Sequence, residues 1–385
     1  MSRPSIAASN RLPYIDSARG IAGVLAILAH LSSDQFRFID FGYLAGISLF
    51  TRTATPMFMI LFGIMIALVY IPRLSRGPEA ADNVARRLLS RMVTCYLIFG
   101  AITLAAVLSG KIPVEKGLQA MAFANAGRFG EVLKIYSVLF LVIVASLPLL
   151  KRFGLAWIVT LAGLGWLLSH VVASVAAPGN VALQFFTGYD NGFGPSVAHS
   201  FTFVAFGVAI GEAVTGRRSL LLPGAVAAVA VAALAIATVR LGPFVVAHGL
   251  GTYEFRSLNH PLYYAYGIVS TSVALILFKT IWARGILEGL SGTLAELGKR
   301  SLFVYGFGNV AMNLLPTYGG NPVIALALAV AFMAVLILMT LDLARSDSLL
   351  DRATGGFLSR FRVRYEEIVQ GAFGRLQSNL KAWRA

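Results

Sequence analysis

The sequence predicts an all-α polytopic membrane protein of about ten transmembrane helices, with both termini on the cytoplasmic side. Three observations carry this expectation: a composition poor in charge, apolar runs of bilayer length, and an uneven distribution of basic residues. Of the 385 residues, 57% are hydrophobic and 13% are charged, whereas a soluble domain ordinarily carries about 25% charged residues. The mean hydropathy is +0.77. Such a chain lacks the polar surface to sit in water. Apolar runs approach the roughly 20 residues that cross a hydrocarbon core, and they fall near 15–33, 53–71, 92–109, 132–150, 155–175, 197–214, 220–240, 261–281, 301–316 and 322–343.

The segments between these runs alternate in charge. Arg73, Arg76, Arg86, Arg87 and Arg91 are read as one loop, Lys151 and Arg152 as part of a second, and Arg217 and Arg218 as part of a third; Lys279, Arg284, Lys299 and Arg300 flank a fourth. With Arg3, Arg11, Arg19 and the C-terminal tail, this side collects 24 of the 32 basic residues, leaving eight, from Arg37 to Arg256, on the other. The positive-inside rule makes the rich side cytoplasmic. The net charge of +15 is therefore a topology signal, and no nucleic-acid partner is expected. The expected location is the bacterial inner membrane.

The first apolar run carries Asp16, Arg19 and His30 and lacks a small-residue cleavage site, so it reads as a retained helix. The outward loops are short and hold turn formers, as at Pro178-Gly179-Asn180 and Gly188-Tyr189-Asp190-Asn191-Gly192, which predicts that any chemistry takes place within the bundle. No internal repeat of the kind found in many transporters is visible. The sequence divides into a transmembrane domain, 1–345, and a cytoplasmic tail, 346–385, where Phe357, Phe361, Phe373 and Trp383 mix with arginines. The tail reads as a basic amphipathic segment on the anionic inner leaflet, or as a solvated tail. The single cysteine, Cys95, excludes an internal disulfide, and no Cys/His group has metal-ligand spacing.

Three ionisable groups in one span need an explanation, because charge in a bilayer is costly. At 100° per residue, Arg19 and His30 lie about 20° apart and Asp16 and His30 about 40° apart, so all three share one face. Gly20 and Gly23 permit a close helix neighbour. Arg19 is expected near the cytoplasmic mouth and His30 roughly 16 Å further along. Transfer of an acyl group from a thioester to a hydroxyl needs a base, and histidine suits that task near neutral pH. A guanidinium suits the phosphates of a cytoplasmic acyl-CoA. The same residues also fit an Asp16–Arg19 helix-end bridge with His30 bonded to another helix.

The pattern Ile15-Asp16-x-x-Arg19-Gly20, with ten residues between Arg19 and His30, resembles the start of the transmembrane acyltransferase-3 superfamily, whose Arg-x10-His signature contains the proposed catalytic histidine. Later segments are most similar to the OpgC branch, which O-succinylates periplasmic glucans. They are Glu131-Val132-Leu133-Lys134-Ile135-Tyr136 entering an apolar run that ends near Pro148, Arg256-Ser257-Leu258-Asn259-His260, and Leu297-Gly298-Lys299-Arg300-Ser301-Leu302-Phe303-Val304-Tyr305. They occur in the family's order. Departures are Glu131 for an aspartate, Lys134 for a proline, and Phe62 before Gly63 where the family pattern has serine.

The resemblance implies a membrane O-acyltransferase that moves a short acyl group, succinyl or acetyl, from cytoplasmic acyl-CoA (acetyl-CoA or succinyl-CoA as co-substrate, with no metal) to a hydroxyl of a periplasmic, cell-surface or lipid-linked glycan. His30 would be the base. Asp16 and Arg19 would organise the donor end, with Arg19 binding the cofactor; Glu131 would orient His30 or bind the acceptor hydroxyl. Tyr136, Arg256 and His260 are the candidate substrate-binding residues, Arg256 and His260 for a glycan or an anionic acyl group. Alternatively Glu131 and Tyr136 are interfacial residues and Arg256 and His260 order a loop. His199 is a candidate for the same cavity or for the core; Asn309 and Asn313 read as helix–helix glue. The outward aromatics Phe185, Phe186, Tyr189, Phe193, Tyr253 and Phe255 suit either sugar stacking or an interfacial belt. The rival class is a transporter or channel for a small polar solute, for which a polar face along one helix is also expected.

Overall fold

The computed structural model describes residues 12–38, 46–177, 179–189, 194–345, 348–353, 364 and 371, and among these it contains helices and no strand. Most of the tail, including its four aromatics, and Phe193 lie outside the described residues. Eight helices are long and apolar enough to cross a membrane: Pro13–Gln35, Gly46–Leu74, Pro78–Leu108, Leu155–Val175, Val197–Val214, Leu221–Leu241, Pro261–Arg284 and Pro322–Asp342. The pair Glu131–Ala145 and Leu147–Phe153, bent by 70°, gives up to nine spans. Pro148 lies at the second helix's start, where its missing N–H and its ring prevent the two from running on as one straight rod. The protein is an all-α, multi-pass membrane protein.

The expected span at 301–316 is the helix Ser301–Leu314, of 14 residues. At about 1.5 Å per residue it is about 21 Å long, short of a core about 30 Å thick. A helix that the charge pattern disguised as a loop, Glu288–Lys299, comes just before it. The basic segment before residue 92 is also largely helical: Pro78–Leu108 runs 31 residues and carries Arg86, Arg87 and Arg91 on its early turns. At about 46 Å it exceeds the membrane, so its basic end projects beyond the apolar slab. Pro78 at its first turn is pre-set for helix.

Glycines set how closely the central helices approach. A Cβ on Gly20 would strike the backbone carbonyl of Leu294, and one on Gly298 would strike that of Asp16. The first helix therefore lies directly against Glu288–Lys299, and Ser17 Oγ donates to Ser291 O at 2.9 Å. Gly23 faces only the Val304 side chain at 3.6 Å. Gly63 and Gly207 abut in the same manner, each facing the other helix's carbonyls at Val204 and Ile60. Small residues permit such crossings where van der Waals packing rather than the hydrophobic effect holds helices together.

At the far end of the first helix, the last turn, Leu31–Gln35, widens into a π-helix. Gln35 Nε2 donates to Leu315 O and Pro316 O at 3.0 and 2.8 Å. Lys111 Nζ reaches Gln35 Oε1, Met312 O and Leu315 O at 3.0, 2.9 and 2.6 Å. One ammonium thus ties three chain segments together, with all three of its donors used. Lys111→Met is expected to destabilise the protein by about 1.5–3 kcal/mol, the range for hydrogen bonds to a charged group. Thermal unfolding of the purified protein in detergent checks this; an unchanged midpoint would show that the clamp contributes nothing.

Candidate active site

His30 opens into a cavity of about 220 Å³ at the end of the bundle away from Arg19, where it is joined by Asp34, Arg52, Arg128, Phe129, Glu131, Tyr253, Arg256 and Tyr305. This volume is below the roughly 300–1,000 Å³ of drug-sized pockets, so it suits the reacting end of a substrate rather than a whole oligosaccharide. His30 Nδ1 is buried and has no hydrogen-bond partner among the described residues. The imidazole lies against the Phe129 ring, centroids 4.5 Å apart. The widened π-turn that begins just after His30 brings Asp34 to the same cavity; such irregular turns recur at functional sites.

Phe129 is held in a strained shape. Its φ is +67°, a left-handed conformation that costs a bulky residue about 1–3 kcal/mol and persists only where the surroundings enforce it. The enforcement is visible. The Tyr305 hydroxyl donates to Phe129 O at 2.7 Å, and Gly127 N donates to Glu131 Oε1 four residues further on. Glu131 Oε2 pairs with Lys134 Nζ at 3.1 Å, and Lys134 Nζ also donates to Asn125 O at 2.8 Å. These bonds fix the loop 125–131 and thereby place both Arg128 and Phe129 beside His30. The Arg128 guanidinium lies over the Phe129 ring, 4.6 Å from its centroid. Burial pulls the Arg128 pKa below its ordinary value, a shift that Asp34 opposes and Arg37 reinforces.

Two further arginines line the cavity. Arg52 is 8% exposed, donates from Nε to Gly251 O at 3.0 Å and sits 3.9 Å over the Tyr253 ring. Arg256 donates from Nε to Gly194 O at 2.7 Å and lies 5.5 Å from the same ring. Each is oriented by a backbone carbonyl and an aromatic face, which fixes a flexible side chain before a ligand arrives.

The residues named from sequence are divided by the structure. His30, Glu131 and Arg256 meet at the cavity. Glu131 faces Gly127 N with Oε1 and Lys134 Nζ with Oε2, and among the described residues neither it nor any other group bonds His30 Nδ1. Asp16 and Arg19 pair with each other at 3.3 Å and do not line this cavity. They lie on the same helix as His30, and its rise carries them to the opposite end. There, Arg19, Arg73, Arg87 and Arg91 all lie within electrostatic reach of the Tyr70 hydroxyl, and Arg19 also reaches that of Tyr136.

Tyr136 and His260 also sit outside the cavity. Tyr136 donates to Phe58 O at 2.5 Å and packs against Phe62. His260 caps the helix Pro261–Arg284, its Nδ1 accepting from Leu262 N at 3.2 Å, while its ring stacks on Phe255. Burial holds the His260 pKa below its usual value, in keeping with an unprotonated acceptor. His199 belongs to the core, with Nδ1 2.8 Å from Ser196 Oγ. Asn313 bonds Ile102 O across helices, and Asn309 bonds Tyr305 O within its own. Of the outward aromatics among the described residues, Tyr253 alone lines the cavity; Phe185 and Tyr189 are buried elsewhere.

Asp34, Arg52, Arg128 and Phe129 were not singled out by sequence reasoning, and Tyr305 entered only as the end of a family-like segment. One signal could have found the arginines. The basic-poor side of the bundle has eight basic residues, and Arg52, Arg128 and Arg256 line this one cavity, with Lys134 just behind it. Cations retained against the topological trend mark a site.

The family model described as an acyltransferase domain, Acyl_transf_3, matches residues 12–343, a stretch that contains the whole cavity and the arginine-lined opposite end. No curated protein and no solved structure matches the chain. A match of that length to a helix bundle, with His30 at one end, its Nδ1 without a partner among the described residues, and the Asp16-x-x-Arg19 pair at the other, identifies the chain as a member of the acyltransferase-3 family and a multi-pass membrane acyltransferase.

Proposed function

We propose that the protein is an O-acyltransferase that carries a short acyl group from cytoplasmic acyl-CoA to a hydroxyl of a periplasmic, cell-surface or lipid-linked glycan. The observation that carries this reading is the histidine whose Nδ1 has no partner among the described residues, at a cavity of the bundle's basic-poor end, joined by one helix to an arginine cluster at the other. In this reading an imidazole nitrogen of His30 removes the proton from the acceptor hydroxyl, and the oxygen attacks the thioester carbonyl. The Arg52, Arg128 and Arg256 side chains offset the negative charge that develops on the carbonyl oxygen. The C–S bond breaks as the C–O bond forms, and the thiolate leaves with a proton. Glu131 shapes the acceptor end by holding the loop that carries Arg128. Loss of ester-linked acyl groups from envelope glycans of a deletion strain, restored by the wild-type chain and read by mass spectrometry, is the expected result. Unchanged glycans, together with solute flux that needs no acyl-CoA, would favour a transporter instead.

Arg19 belongs to the donor end. With Arg73, Arg87 and Arg91 nearby, it suits the phosphates of CoA, while Asp16 holds its guanidinium in place. Arg19→Lys keeps the charge but loses the planar fork. The variant is expected to raise the apparent constant for acyl-CoA or lower turnover by about tenfold, with acceptor affinity little changed. Steady-state kinetics with donor and acceptor varied separately distinguish this from an acceptor-only defect, which would remove Arg19 from the donor site.

A further inference from the structure

The cavity beside His30 holds more positive charge than an alcohol and a thioester require. Three guanidinium groups, Arg52, Arg128 and Arg256, face two carboxylates, Asp34 and Glu131. Glu131 is already matched by Lys134. Asp34 Oδ2 accepts from Ser33 Oγ at 2.8 Å and acts on Arg128 electrostatically. The cavity therefore has an excess of positive charge in a place where the low dielectric makes that excess expensive.

The way the three arginines are bonded separates them. Arg52 and Arg256 each give their Nε to a backbone carbonyl, at Gly251 and Gly194. Arg128 gives neither its Nε nor its Nη2: both nitrogens are buried and both lack a partner among the described residues. Those two atoms form the side edge of the guanidinium, where two N–H bonds point in parallel at the spacing of two oxygens on a carboxylate or phosphate. Buried donors without partners are costly, more so on a charged group. Here they are held in place by a loop with a strained Phe129 and by the Glu131–Lys134 pair, so the open edge is built rather than accidental.

We propose that this cavity is an anion receptor in which the Nε/Nη2 edge of Arg128, supported by Arg52 and Arg256, grips a carboxylate or phosphate carried by one of the two substrates. The proposal rests on the acyl-transfer reading for the identity of those substrates, but not for the binding itself. The anion lies either on the acyl group, as in a dicarboxylic acyl thioester, or on the acceptor, as in a uronate or phosphate-bearing glycan. In both cases the contact fixes the substrate about the reacting atoms, and Arg128 acts as a specificity-determining residue.

The test uses the purified full-length protein in detergent, with sodium succinate and inorganic phosphate as probes and neutral succinamide as control, at constant ionic strength. Succinate or phosphate, but not succinamide, is expected to raise the unfolding midpoint. Arg128→Gln and Arg128→Lys are expected to weaken that binding by roughly tenfold or more, the lysine variant because it keeps the charge without the fork. His30→Gln should bind the anion as the wild type does. Anion binding by a folded wild-type protein that shows no acyl transfer would leave the receptor standing and overturn the enzymatic reading. Equal responses to succinate and succinamide, or full binding in a folded Arg128→Lys protein, would overturn the receptor. Transfer assays then locate the charge. A loss in Arg128→Gln confined to succinyl-CoA places the anion on the acyl group. An equal loss with acetyl-CoA and succinyl-CoA places it on the acceptor, and no loss with either contradicts the proposal.

Discussion

His30→Ala is expected to lower acyl transfer by about 10²–10⁴-fold while leaving the protein folded and inserted. The rate factor is that of a positioned base. The structural argument is that the Nδ1 of His30 makes no hydrogen bond to the described residues, so its removal leaves no partner unsatisfied there. What is lost is packing against Phe129, and alanine suits a helix that already reads Ala26 and Ala29 on the cavity side. His30→Gln, which fills more of the same space but cannot serve as a base near neutral pH, should be comparably inactive. The check is turnover of purified variants matched for unfolding midpoint. A variant that keeps more than about a tenth of wild-type turnover would remove the base role from His30.

The second large effect concerns assembly rather than chemistry. Gly20→Val is expected to prevent the first helix from seating against Glu288–Lys299. A Cβ at Gly20 points into the Leu294 carbonyl, and a carbonyl in a helix cannot retreat without breaking its own ladder. Overpacking ordinarily costs about 1–3 kcal/mol and more where backbone must move; here two branched methyl groups are added to the first collision. Gly23→Ala is the matched control, because its Cβ would meet Val304 Cγ1 at an ordinary 3.6 Å. Gaining alanine's helix preference, about 1 kcal/mol over glycine, it should be neutral or stabilising. Fluorescence-detected size exclusion and unfolding midpoints distinguish the two; equal behaviour would show that the close crossing is not required.

The sequence made the fold class legible because membrane insertion is written in composition: an apolar run of sufficient length has few alternatives to a span. It failed where that logic weakens. Glu288–Lys299 is amphipathic and bracketed by charge, so it read as a loop, and the close Gly20–Gly298 crossing with the Ser17–Ser291 bond reveals its place in the bundle. The 3.6-residue period places Asp16, Arg19 and His30 on one face of the helix Pro13–His30. A shared face says nothing about a shared cavity, and the axial rise separates the pair from the histidine. His30 was legible because an ionisable group inside a span is rare. Arg128 and Phe129 were not, since their importance comes from a left-handed backbone at a residue that does not favour it and from bonds made by Tyr305 and Glu131 far along the chain or round a turn.

We propose that donor and acceptor meet across the membrane, with acyl-CoA entering at the Arg19 end and the hydroxyl at the His30 end. Proteoliposomes holding the protein in one orientation, established by protease access to the Arg73–Arg91 segment, test it most directly. Labelled acyl-CoA is supplied on one side and the glycan acceptor on the other. Labelled acceptor is expected only when acyl-CoA is on the side of the Arg73–Arg91 segment and the acceptor is opposite. Labelled product formed equally well with both substrates on the same side, or with their positions reversed, would contradict it.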